Sequence, residues 1–261
     1  MAAIEAHHRE LSAKWARVQG GVVDDRPQLL RTAVGLPVTY TNQINAARLS
    51  PGNADSEIAA TEAFLDRHGV PGMWVVGPLS EPADLGERLV RRGWVHEEDL
   101  PWMAAPISRL LGTAPQPPGG LVVDAVEEDD AQARWLSVMS EGFGMDDRGR
   151  EAMSRLAAAV GYGADRPWRR FVGSIDGRPV GSAGLMITER VAGVYNVATV
   201  PDARRLGMGA AMTAAALREG LARGYEVAVL GASARGYGVY RRMGFVEVCR
   251  VGLYDWKPPS G

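Results

Sequence analysis

Cysteine occurs once in the 261 residues, at Cys249. A single thiol excludes a disulfide framework and a cysteine-built metal site. Histidine is scarce too: His7, His8, His68 and His96 are the whole set, and no two have the spacing of a helical metal pair. Neither a structural zinc nor a Ser-His-Asp triad is expected, and no metal is expected at all. Charge of one sign is also lacking. The 29 basic and 31 acidic side chains leave a net charge of −2, so no global field favours nucleic acid or an acidic membrane as a partner. No stretch approaches the roughly 20 apolar residues that span a bilayer. The first residues, MAAIEAHHRELSAKW, lack the apolar core of a signal peptide. The expectation from these absences is a cytoplasmic α/β protein.

Hydrophobic residues make up 46% of the chain, enough to bury a substantial core in one large or two small domains. The clearest break is GTAPQPPGG at 112–120, whose prolines and glycines oppose both helix and strand. It suggests an N-terminal domain over 1–111, a linker over 112–120 and a C-terminal domain over 121–261.

In the second half, LVVDAV at 121–126 reads as a strand. EEDDAQARWLSVMSEGF and DRGREAMSRLAAAVG read as two helices, the first with acidic residues at its front and Ala131, Trp135, Val138 and Met139 on one face. RRFVGSI and RPVGSAGLMIT form a hairpin about Asp176-Gly177, and VAGVYNVATV adds a third strand. A helix follows over 208–223, stopped by Gly224. Then come the strand YEVAVLGAS, the short helix RGYGVYRRM and the last strand GFVEVCRVGLYDW. The order predicts a mixed, mostly antiparallel sheet with helices on its faces.

The first half shows fewer signals: helices in AATEAFLDRHG and PADLGERLVRRG, strands in GMWVVGP and WVHEEDLPWMAAPI. One internal echo stands out. LVRRGWV at 89–95 parallels YRRMGFV at 240–246, each a helix, a glycine, an aromatic and a valine after a strand. This suggests a duplicated unit.

Between strand and helix lies Arg204-Arg205-Leu206-Gly207-Met208-Gly209. Backbone N–H groups at a helix start have no intrahelical partner and carry partial positive charge. Glycine lets a ligand approach the main chain, and arginine adds fork-shaped donors. The stretch reads as a pyrophosphate cradle, or alternatively as a plain strand-to-helix loop with solvated arginines. The dinucleotide fingerprint does not fit, because Met212 stands where Gly or Ala belongs.

TVPDARRLGMG, followed after a strand by VYRRMGF, resembles the GNAT superfamily of acetyl-CoA-dependent N-acyltransferases. The Q/R-x-x-G-x-G/A loop of that family matches Arg204, Gly207 and Gly209. Its late Tyr-x-x-x-Gly-Phe matches Tyr240, Gly244 and Phe245. The element order agrees over about 140 residues from Leu121. The first half resembles the degenerate N-terminal unit of tandem members: it has no Arg-x-x-Gly-x-Gly, and Leu89 stands where Tyr240 stands in the second. The resemblance thus implies a catalytic GNAT domain at 121–261 and an acceptor-shaping or structural domain at 1–111.

The resemblance also implies roles. Acetyl-CoA would be the cosubstrate and a small-molecule or peptide amine the acceptor, in a monomer or homodimer. Backbone N–H groups of Val197, Ala198 and Thr199, on a bulged fourth strand, would face the thioester. The main chain from Arg204 through Arg205, Leu206, Gly207, Met208, Gly209 and Ala210 would hold the diphosphate, with the arginine side chains helping. Tyr240 would give a proton to the leaving thiolate. Ser233 replaces an asparagine that touches the pantetheine arm in many members. The family often carries a basic glutamate on the fourth or fifth strand, and the fourth here offers only Tyr195 and Asn196. Glu226, Glu141 and a water chain stand open as the base. Trp135, Phe143, Tyr162 and Trp168 are candidates to line the acceptor pocket. The run Glu127-Glu128-Asp129-Asp130 either attracts a cationic acceptor or serves a helix dipole. A catalytically silent acyl-CoA sensor is the alternative function.

Overall fold

A computed structural model of the chain describes residues 1–258. They form two compact units, Met1–Pro101 with the chain from Cys249 onward, and Trp102–Val248.

The first unit contains α1 (Ala2–Val18), β1 (Val22–Arg26), β2 (Leu29–Ala33), β3 (Gln43–Asn45), α2 (Ala54–Arg67), β4 (Gly72–Val76), α3 (Leu85–Arg91) and the start of β5 (Val95–Pro106). Its core gathers Leu29, Ile44, Ile58, Leu65, Trp74 and Trp94. β2 is buried along its whole length, so Arg31 needs partners: it pairs with Asp24 at 3.0 Å and Glu57 at 2.5 Å.

The second unit takes the end of β5, then α4 (Ile107–Thr113), β6 (Leu121–Ala125), α5 (Asp129–Phe143), α6 (Asp147–Val160), β7 (Trp168–Ile175), β8 (Arg178–Ile187), β9 (Ala192–Thr199), α7 (Met208–Ala222), β10 (Val227–Gly231), α8 (Ala234–Met243) and the start of β11 (Val246–Trp256). Its strands lie in the order β5-β10-β9-β8-β7-β6, all antiparallel neighbours except β9 and β10. The expected mixed, mostly antiparallel sheet flanked by helices is the one observed. The turn at Asp176-Gly177 has φ of 50° and 77°, the doubly positive pair of a tight hairpin.

Two pairings differ from the linear reading of the sequence. The last strand finishes the first unit: Gly252–Trp256 of β11 pair antiparallel with Gly72–Val76 of β4. In return, Trp102–Pro106 of β5 pair with Val227–Gly231 of β10 in the second unit. Each exchange covers a strand edge that would otherwise stand open. The segment 112–120 therefore joins α4 to β6 within the second unit, and the units part at Pro101/Trp102 and Val248/Cys249.

α7 packs against β7, β8 and β9. It is buried almost all round, through Met208, Ala210, Ala211, Met212, Thr213, Ala214, Ala216, Leu217 and Gly220. Glycines on the sheet let it sit close: a Cβ at Gly173 or Gly181 would fall within 3 Å of the Met212 side chain. α5 approaches the same sheet through Gly142, where a Cβ would meet Ala198 at 2.7 Å.

Candidate active site

β9 and β10 form the one parallel pair among the strands of the second unit. They pair only at Ala192–Ala228 and Gly193–Val229. Beyond those positions β9 continues to Thr199 and β10 to Gly231, and the facing edges part. A helix begins soon after each strand, α7 after β9 and α8 after β10. A crevice outside the carboxyl ends of parallel strands is the usual ligand position in α/β sheets.

On its other side, β9 carries a bulge. Its pairing with β8 steps from Ala198–Ser182 to Tyr195–Gly184, so Asn196 and Val197 stand opposite Ala183 alone. Asn196 takes φ 52°, a left-handed conformation that asparagine tolerates better than most residues. The Ser182 hydroxyl donates to its carbonyl at 2.9 Å. A bulge re-aims main-chain groups away from the ladder. Val197 lies in the bulge and Ala198 and Thr199 follow it, beyond the positions where β9 pairs with β10.

The loop from Val200 to Gly207 leads into α7. The Arg204 guanidinium donates to the Gly142 carbonyl at 2.9 Å and the Thr199 carbonyl at 3.3 Å. It fastens the loop to the end of α5 and the end of β9. Arg205 is exposed with φ 65°, and Leu206 is exposed. Gly207 is the N-cap of α7 at φ 82° and brings no side-chain cap. By contrast α6 and α8 are capped, Asp146 accepting from Gly149 N–H at 2.8 Å and Ser233 from Gly236 N–H at 3.2 Å. In α7, Ala211 bonds back to the Gly207 carbonyl, and the N–H groups before it face outward from the helix end. A Cβ placed at Gly207 or at Gly209 would meet nothing within 4 Å. The open space and bare N-terminus fit an anionic group such as a diphosphate.

Tyr240 on α8 is buried at 9% exposure. Its ring meets Phe245 edge-on with centroids 5.9 Å apart, and its hydroxyl shares a hydrogen bond with Thr213 on α7. Thr213 in turn donates to the Gly209 carbonyl at 2.8 Å. One chain of hydrogen bonds thus joins the phenol to the first turn of α7. Burial pushes the Tyr240 pKa up to about 12, against a smaller lowering by Thr213. Tyr195 on β9 is likewise pushed upward by burial.

Other expected residues lie elsewhere. Trp135 and Trp168 are buried at 0% and 2% exposure and pack edge-on to each other at 5.3 Å. They flank Arg170, whose guanidinium sits 4.5 Å from the Trp168 ring and donates to Ala157 and Gly161 carbonyls at the end of α6. They belong to the core, not to a pocket wall. Burial holds the Arg170 pKa down to about 10. Phe143 is half exposed, and Tyr162 donates to Asp129 at 3.2 Å. The acidic run divides: Asp129 and Asp130 occupy the first turn of α5, and Glu127 pairs with Arg169 at 2.9 Å. Glu141 and Glu226 are exposed. Among the described residues no group of His, Cys, Asp and Glu is arranged to hold a metal, and no helix is long and apolar enough to cross a membrane. The sequence reading missed Gly142 and Thr213. A glycine inside an amphipathic helix was the available sign of a close approach, whereas a threonine in an alanine-rich helix carried none.

Comparison with known proteins accords with this geometry. Residues 111–239 match the family described as an acetyltransferase (GNAT) domain. A mycothiol acetyltransferase from Cellulomonas flavigena is 29% identical, over 95% of this chain and 75% of its own. A GCN5-related N-acetyltransferase from Kribbella flavida shares the fold with a TM-score of 0.73 at 19% identity, over 97% of this chain and 96% of that one. A tandem GNAT protein from the clavulanic acid biosynthesis pathway does so with a TM-score of 0.60 at 12% identity, over 89% and 79%.

Proposed function

Because residues 111–239 of this chain belong to the GNAT acetyltransferase family, we propose that it is an acetyl-CoA-dependent N-acetyltransferase acting on a primary amine. The observation that carries this reading is the uncapped N-terminus of α7 beside the parted edges of β9 and β10.

The main chain from Arg205 through Ala210 holds the diphosphate, aided by the positive end of the α7 dipole. Acetyl-CoA, when bound, supplies an acyl group activated as a thioester. Val197, Ala198 and Thr199 present main-chain donors where negative charge grows on the thioester oxygen, and fixed donors of this kind often give the largest share of catalysis. The Tyr240 phenol, protonated at neutral pH and moved further from ionisation by burial, gives its proton to the departing sulfur. Ser233 uses its oxygen to cap α8, and its hydroxyl hydrogen is left for the pantetheine arm. The relative from Cellulomonas flavigena makes mycothiol-related amines the first acceptors to assay.

A catalytically silent sensor is the competing reading, favoured by the lack of a carboxylate on β9. Thiol release from acetyl-CoA across an amine panel separates the two. The proposal expects amine-dependent release. CoA binding with no release from any amine would favour the sensor.

A further inference from the structure

The bulge on β9 interrupts its pairing with β8 over a short span. Tyr195 stands in register with Gly184 before it, and Ala198 and Thr199 with Ser182 and Gly181 after it. Val200 N–H then donates to the Val180 carbonyl at 3.1 Å, so β8 holds the chain on both sides. Asn196 and Val197, by contrast, have no register partner on β8 or β10 among the described residues. A peptide group outside a ladder can turn about its flanking bonds, whereas a donor that stabilises a transition state must be fixed beforehand.

Two buried side chains meet the main chain at this span. Ser182 is 0% exposed, and its hydroxyl donates to the Asn196 carbonyl at 2.9 Å. Trp135 of α5, also 0% exposed, donates its indole N–H at 3.0 Å to the carbonyl of Ala183, the residue that faces the bulge. In a planar trans peptide the N–H points opposite to the carbonyl. β8 lies on one side of β9 and β10 on the other. Turning the Asn196 carbonyl toward Ser182 on β8 therefore turns the Val197 N–H away from β8, to the side where β10 has parted. The φ of 52° at Asn196 is the local twist that sets this peptide against its neighbours.

We infer, on the basis of the acetyltransferase reading above, that Ser182 is a positioning residue for the reaction: by holding the Asn196 carbonyl it aims the Val197 N–H at the thioester oxygen. Ser182 touches no reacting atom and acts through the Asn196–Val197 peptide. Val197 is singled out among the three main-chain donors because it alone has no register partner in the ladders. Losing one fixed donor to a developing oxyanion costs about a hundredfold to a thousandfold in kcat. A buried carbonyl deprived of its donor turns toward another partner, so removing the Ser182 hydroxyl forfeits a part of that factor.

The test uses the full chain and acetyl-CoA isotope-labelled at the thioester carbonyl, without amine. The infrared stretch of the bound carbonyl reads the hydrogen bond to its oxygen, since a donor lowers it. The stretch is expected to be lowered in the parent chain and to move back toward that of free acetyl-CoA in Ser182→Ala. In that variant kcat is expected to fall by about tenfold or more, with CoA affinity, by calorimetry, within about twofold. Ser182→Thr, which keeps a hydroxyl, is expected to restore most of both. Should the alanine variant melt below the assay temperature, Ser182→Cys, close in shape with a weaker donor, is expected to show the same changes in smaller measure. A fall in kcat with the stretch left where the parent has it, a parent stretch equal to that of free acetyl-CoA, or unchanged kcat overturns the inference and leaves the acetyltransferase reading intact. A parent chain that binds no CoA, or releases no thiol with any amine, overturns that reading and this inference with it.

Discussion

Tyr240 owes its raised pKa to burial, not to a charged neighbour, and the shift governs its behaviour above pH 9. Its folded pKa of about 12 lies above the ordinary value of 10, so the phenol keeps its proton throughout the range in which enzymes are assayed. Turnover is expected to show no alkaline loss from this group up to about pH 10. The stability linked to it is complete below pH 10 and is lost as pH rises through 12. A fall in kcat between pH 8 and 9.5 that disappears in Tyr240→Phe would contradict this. Replacing the phenol is expected to lower kcat by more than about tenfold, with CoA affinity, measured by calorimetry, within about twofold. Unchanged turnover would remove the acid role. Thr213 tests the same group from its partner's side. Thr213→Val removes the hydroxyl that contacts the phenol and is expected to lower kcat by several fold, while Thr213→Ser restores it. An equal effect of both variants would point to packing alone.

The start of α7 is where element and function compete. Gly209 sits in the first turn with open space around its missing Cβ. Gly209→Ala is expected to raise helix stability by up to about 1 kcal/mol while weakening CoA binding by several fold, since its methyl group stands on the open side of the cradle. Thermal melts and calorimetry on the same preparation check both directions, and a variant that binds as tightly as the parent would show that the ligand does not approach there. This element was legible in the sequence because its signals are local: a strand stopped by proline, a loop with glycines, an apolar helix. The bulge at Asn196 came only through the resemblance, since NVAT alternates like any core strand. The clamp role of Arg204 was hidden, because its partner Gly142 lies 62 residues away. The early strands were hidden for another reason. β2 is buried on both faces and contains Arg31 and Thr32, so its polar residues imitate a solvent-facing segment. The exchange of β5 and β11 between units was likewise unreadable, as any apolar strand edge suits either partner.

Across the whole molecule, the two units use a similar plan to different ends. Each contains one parallel strand pair, β3 with β4 and β9 with β10, but only the second follows it with an Arg-x-x-Gly-x-Gly loop. The first unit has its own pH dependence. His7 of α1 is 1% exposed, and burial, helped by the nearby Lys14, lowers its pKa to about 4. The unfolded chain binds a proton near pH 6.5 that the folded chain refuses until about pH 4. This contribution is therefore present above pH 6.5 and is lost as pH falls below it. His8, lowered by burial to about 3, acts in the same sense, so the melting temperature is expected to drop by several degrees from pH 7.5 to 5, and His7→Leu is expected to reduce that slope without abolishing it. An unchanged slope would place the acid sensitivity elsewhere. Acetyl transfer as proposed requires a diphosphate-bearing thioester gripped at the start of α7, and the most direct measurement is a calorimetric titration of CoA into the folded chain and into Gly207→Val. Saturable binding at one site per chain, weakened by about tenfold or more in the folded variant, is the expected result. No heat with the parent chain, or equal affinity in both, would contradict it.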